Sequence, residues 1–331
     1  MLSALLARLT LRHTLRNGMI DMPNQRSSHT IPTPRGGGLA IAITFLAAIL
    51  SLGMAGLLSA EIASALLGGG ALVAFAGWRD DRHTLSISLR FAVHFAAALW
   101  ALFWLEGMNS LQLGFTTISW QWAGVAITAL GIVWLINLYN FMDGIDGLAG
   151  AQAICAAVGG AILLWISGAY GLALSSLALA AAAAGFLIWN WPPARIFMGD
   201  VGSGLLGFSF AVLALASEKA GALPVLAWLI LLAVFIMDAS FTLLRRILNN
   251  EAWLQAHRTH AYQRAVQAGA SHLRITMYVA GLNIMVLWPL AWLAWLRPQW
   301  LLWIFLAVAG LAWLLWASIQ RKFTEADEIQ K

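Results

Sequence analysis

"SWQWAGVAITALGIVWLINLYNFMDGIDGLAGAQAICAAVGGAILLWI", residues 119–166, decides the fold. It holds two apolar runs, 119–137 and 148–166, each close to the roughly 20 residues that carry a helix across a bilayer. The only charged side chains in the stretch, Asp143 and Asp146, lie between the runs. The bilayer core offers no water to open backbone groups, so each run must be helical. The pattern recurs along the chain. Runs at 37–58, 61–78, 91–105, 170–189, 203–217, 222–243, 275–296 and 299–317 bring the total to ten.

Composition agrees. Of 331 residues, 61% are hydrophobic and 10% charged, where a soluble domain carries about 25% charged residues. The sequence therefore predicts an all-α fold: a polytopic transmembrane helix bundle of about 10–11 spans, forming a single integral-membrane domain over residues 1–331. The opening "MLSALLARLTL" is apolar but too short to span, and Arg8 interrupts it. It reads as an interfacial segment or as the remnant of a truncated first helix. It lacks the small-residue cleavage site of a secretory signal. The lone cysteine, Cys155, lies in an apolar run and cannot form an internal disulfide.

Basic residues orient the bundle. Sixteen of the 19 Lys and Arg residues fall in segments 12–36, 79–90, 190–202 and 244–274 and in the tail after 320. By the positive-inside rule these segments and the C-terminus are cytoplasmic, and 244–274 is the longest cytoplasmic loop. The net charge of +5 is mostly this bias, so no nucleic-acid partner is expected. On this topology Asp80, Asp81, Asp143, Asp146 and Asp200 all fall in, or at the edge of, cytoplasmic loops. Such clustering points to a site assembled at the cytoplasmic face from distant parts of the chain.

Each cluster has its own chemistry. In "NLYNFMDGIDGLAG", residues 137–150, Asp143 and Asp146 are three apart and Asn140 stands one turn before Asp143. Carboxylate and amide oxygens suit a hard cation, and Mg²⁺ commonly takes one or two carboxylates plus substrate phosphate oxygens. An EF-hand needs a twelve-residue loop closed by Glu, which is absent. Helix capping uses one or two such residues, not four within ten. "NWPPARIFMGDVGSG", residues 190–204, sets Asp200 between glycines at the start of an apolar run, where free N–H groups favour anions. It is not a Walker A sequence. In "GWRDDRHTLSISLR", residues 77–90, Asp80 and Asp81 point about 100° apart on a helix, so at most one is expected to face the other acids. Arg90 and Arg82 are phosphate candidates there. In "PNQRSSHTIPTPRGGG", residues 23–38, Arg26, His29 and Arg35 are candidates for pyrophosphate. In "HRTHAYQR", residues 257–264, His257, Arg258 and His260 are read as phosphate-facing donors, since a zinc site would want further His or Cys ligands. Asp238, close to mid-span, is a costly acid with Arg245 or Arg246 as its expected partner.

Taken together, these blocks resemble the polyprenyl-phosphate N-acetylhexosamine-1-phosphate transferases. The likeness rests on Asp80–Asp81, on Asn137, Asn140, Asp143, Gly144, Asp146 and Gly147, on Asn190 through Pro193, Ala194, Phe197 and Asp200 to Ser203, and on the "PNQRSSH…GGG" loop. It covers almost the whole chain in order. The resemblance implies transfer of N-acetylhexosamine-1-phosphate from a UDP-N-acetylhexosamine to undecaprenyl phosphate, releasing UMP, at the inner membrane of a bacterium. It implies Mg²⁺ (Mn²⁺ as the alternative) on Asp200 with Asn140 or Asp143 nearby, and uracil stacked on Phe197. Asp80, Asp81, Asp143 and Asp146 would be catalytic or orienting, with His257 and His260 as further catalytic candidates. Asn137, Asn190, Arg26, His29, Arg90 and Arg258 would bind substrate, and a homodimer stays open. Where much of the family has a histidine cluster, only His260 matches, with Tyr262 and Gln263 beside it. "HRTHAYQR" looks more like the O-antigen-initiating branch, whose donors include UDP-N-acetylfucosamine and UDP-N-acetylquinovosamine; UDP-N-acetylglucosamine is the alternative. The rival from another class is a secondary transporter, which would set its acids near the midplane of an inverted repeat.

Overall fold

The computed structural model describes all residues except 24–30, 109, 121, 253–256 and 330–331. Its helices are α1 (Leu2–Asn17), α2 (Gly38–Met54), α3 (Ala60–Arg82), α4 (Ile87–Leu105), α5 (Trp122–Phe141), α6 (Leu148–Ile166), α7 (Tyr170–Asn190), α8 (Asp200–Lys219), α9 (Val225–Leu231), α10 (Ala233–Leu248), α11 (Ala261–Gln267), α12 (His272–Leu296) and α13 (Pro298–Arg321). Two small antiparallel ladders complete it. Ile20–Asp21 pairs with Thr33–Pro34, and Ser110–Gln112 pairs with Thr117–Ser119.

All ten apolar runs are helical, as the absence of water in a bilayer demands. Among the described residues, eight helices are long and apolar enough to cross a membrane. The pair α9 and α10, bent by 85°, makes a ninth if it is one span, and α2 is apolar but shorter. The number of clear spans is thus below the expected 10–11, because run 222–243 is broken and run 37–58 yields only 17 helical residues. The N-terminal segment is neither loose nor merely interfacial. Helix α1 packs on α7 and α2, with Ala7 fully buried and Ser3 Oγ donating to the Ala182 carbonyl at 2.6 Å.

Helix α8 is the axis of the bundle. Every residue from Val201 to Glu218 is buried, as befits a helix apolar on all sides. It packs against α2, α3 and α5, while α6 pairs with α7. Inside the apolar core, Gln152 and Asn283 exchange amide hydrogen bonds at 2.7 and 3.3 Å, and Gln152 also donates to the Leu231 carbonyl at 3.1 Å. That carbonyl is freed by the break between α9 and α10, so a buried side chain satisfies what the helix no longer can.

The alternation of spans brings the C-terminal ends of α3, α5 and α7 to the N-terminal starts of α4, α6, α8 and α12. Contacts between distant loops confirm that these ends share one face: Gly147 N–H donates to Asn190 Oδ1 at 2.9 Å, and Thr276 Oγ1 donates to the Asp146 carbonyl at 3.0 Å. The other face is tied by Ser167 Oγ donating to the Ala222 carbonyl and by Lys219 pairing with Glu106. The aspartate clusters and the basic segments lie together on the first face.

Candidate active site

Residues 33–38 and 196–199 are zipped side by side. Phe197 N–H donates to Pro34 O at 2.8 Å, Gly37 N–H to Phe197 O at 2.9 Å, and Gly38 N–H to Met198 O at 2.8 Å. This backbone pairing delivers Arg35 to the acids. Its Nε lies 2.9 Å from Asp81 Oδ1, and its Nη2 bonds Asp200 Oδ1. Burial works against the Arg35 charge, but Asp200 and Asp81 outweigh it and raise its pKa above the ordinary value. Asp81 in turn caps α8: its Oδ1 accepts from Asp200 N–H at 3.0 Å, where free N–H groups and the helix dipole favour a carboxylate. Gly199 makes the approach workable. It has φ of +75°, and a Cβ there would stand 2.5 Å from Asp81 Oδ2.

Asp80 works from the other side. It accepts from Leu85 N–H at 2.7 Å and faces Arg90 at 3.4 Å. With Asp200, Arg90, His94, Asn137 and Asn140 it lines a small, partly open cavity of about 20 Å³, room for one water. Of the adjacent aspartates only Asp80 lines this cavity; Asp81 meets Asp200 through Arg35 and the N–H at the start of α8. Helix α3 meets the start of α8 so closely that both reach it; a Cβ on Gly77 would stand 2.5 Å from the Asp200 carbonyl carbon.

A larger cavity of about 240 Å³ opens beside this cluster, lined by Arg35, Asn140, Asp143, Asp146, Asn190, Phe197, Asp200, Gln263 and His272. Six of the residues singled out in the sequence thus share one wall with Arg35. Burial pushes Asp143 well above the usual carboxylate range; Arg35 opposes the rise, while Asp200, Asp81 and Asp146 add to it. Asp146 Oδ2 accepts from Ala194 N–H at 3.1 Å and lies 3.3 Å from His272 Nδ1. Asn190 spends its amide on the protein, accepting from Gly147 N–H and donating to the Ile196 carbonyl at 3.0 Å. Asn137 lies at the small cavity, its Nδ2 2.7 Å from the Val133 carbonyl and 3.3 Å from His94 Nδ1. Arg26 and His29 fall outside the described residues.

The loop at 257–264 is placed differently from expectation. His260 is buried, stacked on Phe141 and Tyr262, and neither it, His257 nor Arg258 lines either cavity. Burial drives His257 down to about 3, with His260 and the nearby arginines adding to the shift. The residues of this loop that reach the site are Tyr262 and Gln263: Tyr262 Oη donates to the Phe141 carbonyl at 2.9 Å, and Gln263 lines the larger cavity. Asp238 also corrects the reading. Its oxygens accept from Ala261 N–H at 2.8 Å and Tyr262 N–H at 3.3 Å, so it caps α11. Arg246 pairs instead with Glu251 at 2.8 Å. Within the apolar interior, N–H groups at a helix start meet the need of a buried carboxylate as well as an arginine would.

A divalent cation suits this donor set. Asp80, Asp81, Asp143 and Asp200 are served by two arginines, Arg35 and Arg90, and the larger cavity adds the carboxylates of Asp21 and Asp146, His272 and the Asn140 and Gln263 amides. Among the described residues, no three His, Cys, Asp or Glu side chains enclose a metal on their own.

Sequence reasoning missed His94 and His272. Both are single histidines on long helices, and only the folded chain brings them to Asn137 and Asp146, 43 and 126 residues away.

Comparison with known proteins places these residues in context. The family model for glycosyl transferase family 4 matches residues 63–218. A probable undecaprenyl-phosphate N-acetylglucosaminyl 1-phosphate transferase of Bacillus subtilis is 32% identical over 266 residues, covering 79% of this chain and 73% of the relative. A decaprenyl-phosphate N-acetylglucosaminephosphotransferase of Mycobacterium tuberculosis is 30% identical over 302 residues, covering 80% and 73%. An undecaprenyl-phosphate alpha-N-acetylglucosaminyl 1-phosphate transferase of Escherichia coli K12 is 27% identical over 265 residues, covering 76% and 70%.

Proposed function

This chain belongs to the polyprenyl-phosphate N-acetylhexosamine-1-phosphate transferases of glycosyl transferase family 4, and we propose that it joins a UDP-N-acetylhexosamine to undecaprenyl phosphate at the cytoplasmic face. A lipid phosphate oxygen attacks the β-phosphorus of the donor. The bond between that phosphorus and the oxygen leading to the α-phosphate breaks, UMP leaves, and undecaprenyl-diphospho-sugar remains. The observation that carries the reading is the meeting of Arg35, Asp81 and Asp200 at the rim of a cavity lined by Asn140, Asp143 and Phe197.

Phosphoryl transfer asks mainly for positioning and electrostatic stabilisation. Arg35 supplies fixed positive charge at the junction of two loops. Asp81 holds Arg35 and the start of α8 in register, and Asp80 with Arg90 orients the incoming phosphate. The nucleophile has a second pKa of about 6, by analogy with other phosphomonoesters, so it is largely a dianion at cytoplasmic pH and needs no strong base. Phe197 presents a face for uracil. Mg²⁺, or Mn²⁺ in its place, would be held by Asp200 with Asn140 and Asp143, and would neutralise the diphosphate. Most of the acids stand at the rim, which favours this reading over a transporter.

The donor sugar has two candidates. The names of the relatives favour N-acetylglucosamine, and the "HRTHAYQR" loop favours an O-antigen-initiating role with N-acetylfucosamine or N-acetylquinovosamine. UMP release by purified protein, with undecaprenyl phosphate and a panel of UDP-N-acetylhexosamines, separates them. Release dependent on lipid and on Mg²⁺ supports the reaction; no release with any donor refutes it.

A further inference from the structure

We propose that His272, held by Asp146, reads the sugar of the donor rather than its diphosphate or its uracil. The assignment rests on the nucleotide-sugar reading above. His272 is the histidine that lines the larger cavity, in place of those in the loop at 257–264. Its Nδ1 is turned to Asp146, 3.3 Å from the carboxylate Oδ2 and 3.4 Å from the backbone N–H. Both contacts engage Nδ1, so Nε2 is the ring nitrogen left to exchange a hydrogen bond with a ligand. The ring thereby offers one hydrogen-bonding nitrogen of fixed direction, anchored at the other.

The surroundings choose the ligand. Arg35 is the one Lys or Arg side chain among the described residues lining this cavity, and it is engaged by Asp81 and Asp200. Asp146 stands against His272, and the same cavity is lined by Asp21, Asp143 and the Gln263 amide. Phosphate oxygens set against Asp146 would meet like charge, whereas Arg35, and the Mg²⁺ that Asp200, Asn140 and Asp143 would hold, favour the diphosphate on their side of the cavity. Hydroxyl and acetamido groups fit: they both donate and accept, and so can bond Asp146, Nε2 of His272 and the Gln263 amide. An N-acetylhexosamine is the part of the donor that offers them. A site built on such bonds rejects sugars that cannot satisfy it.

The test is binding by the full-length protein in detergent, measured calorimetrically with Mg²⁺ for UDP, UDP-N-acetylglucosamine and UDP-N-acetylgalactosamine. His272→Ala should weaken the preferred sugar nucleotide about tenfold, the worth of one well-placed hydrogen bond, and leave UDP unchanged. His272→Gln, whose amide can donate, should recover most of the loss and guards against misfolding of the alanine variant. Equal weakening of UDP and the sugar nucleotides, or no change in either, would overturn the assignment while leaving the donor reading intact. Wild-type protein that bound neither UDP nor any sugar nucleotide would bring down the donor reading, and this assignment with it.

Discussion

Arg35 bridges two aspartates that the chain separates by 119 residues, and no other ion pair among the described residues joins them. Its forked guanidinium reaches both carboxylates, whereas a lysine ammonium is a single point charge. Arg35→Lys should therefore lower UMP release about 10- to 100-fold while the protein still folds; wild-type turnover in that variant would remove Arg35 from the site. His257 gives a pH test. Its folded pKa of about 3 lies below the unfolded value of about 6.5, so between these values the unfolded chain binds more protons. Stability is full above about 6.5 and falls as pH drops towards 3. His257→Gln should flatten the fall in melting temperature between about pH 7 and about pH 5; an unchanged slope would contradict the burial argument. At this scale the sequence was readable where motifs are contiguous: Asn140, Asp143, Asp146, Asn190, Phe197 and Asp200 converge on one cavity. It misled where local spacing suggested a partner. Arg245 lies two turns from Asp238, yet the carboxylate turns to N–H groups 23 and 24 residues ahead.

Elements carry these residues, and two of their joints are open to test. The break between α9 and α10 leaves the Leu231 carbonyl to Gln152. Gln152→Leu should cost about 1–2 kcal/mol, the penalty for a buried unsatisfied carbonyl, and leave the KM for the donor unchanged. A stability equal to wild type in a detergent melt would show that another group takes over. At the second joint, Asp238 caps α11, which carries Tyr262 and Gln263 to the site. Asp238→Asn keeps the shape but offers one acceptor oxygen to two N–H groups. It should lose about 1 kcal/mol and lower turnover several-fold, with Asp238→Glu giving partial recovery; unchanged turnover would separate α11 from the site. Helical existence was legible at all ten apolar runs because the bilayer leaves no alternative. The 85° bend was not, since residues 222–243 read as one continuous apolar run and the Gln152 bond that meets the freed Leu231 carbonyl comes from a helix 79 residues away.

At the scale of the whole molecule, one end of the bundle holds the aspartates, both cavities of the site and the basic segments. The other end is tied by Glu106, Lys219 and the hairpin at 110–119. If the basic end faces the cytoplasm, a cysteine placed at exposed Ser88 should label only after the membrane is opened, and one at exposed Ser119 should label from outside. Cys155 is buried and should stay silent. The reverse pattern would put the site where nucleotide sugars are absent. The central claim is that the chain moves a sugar together with its phosphate. It is tested most directly by giving purified protein undecaprenyl phosphate and a UDP-N-acetylhexosamine labelled in the β-phosphate. Label in the lipid fraction with release of unlabelled UMP is the expected result. Label left on the nucleotide while sugar enters the lipid would contradict it.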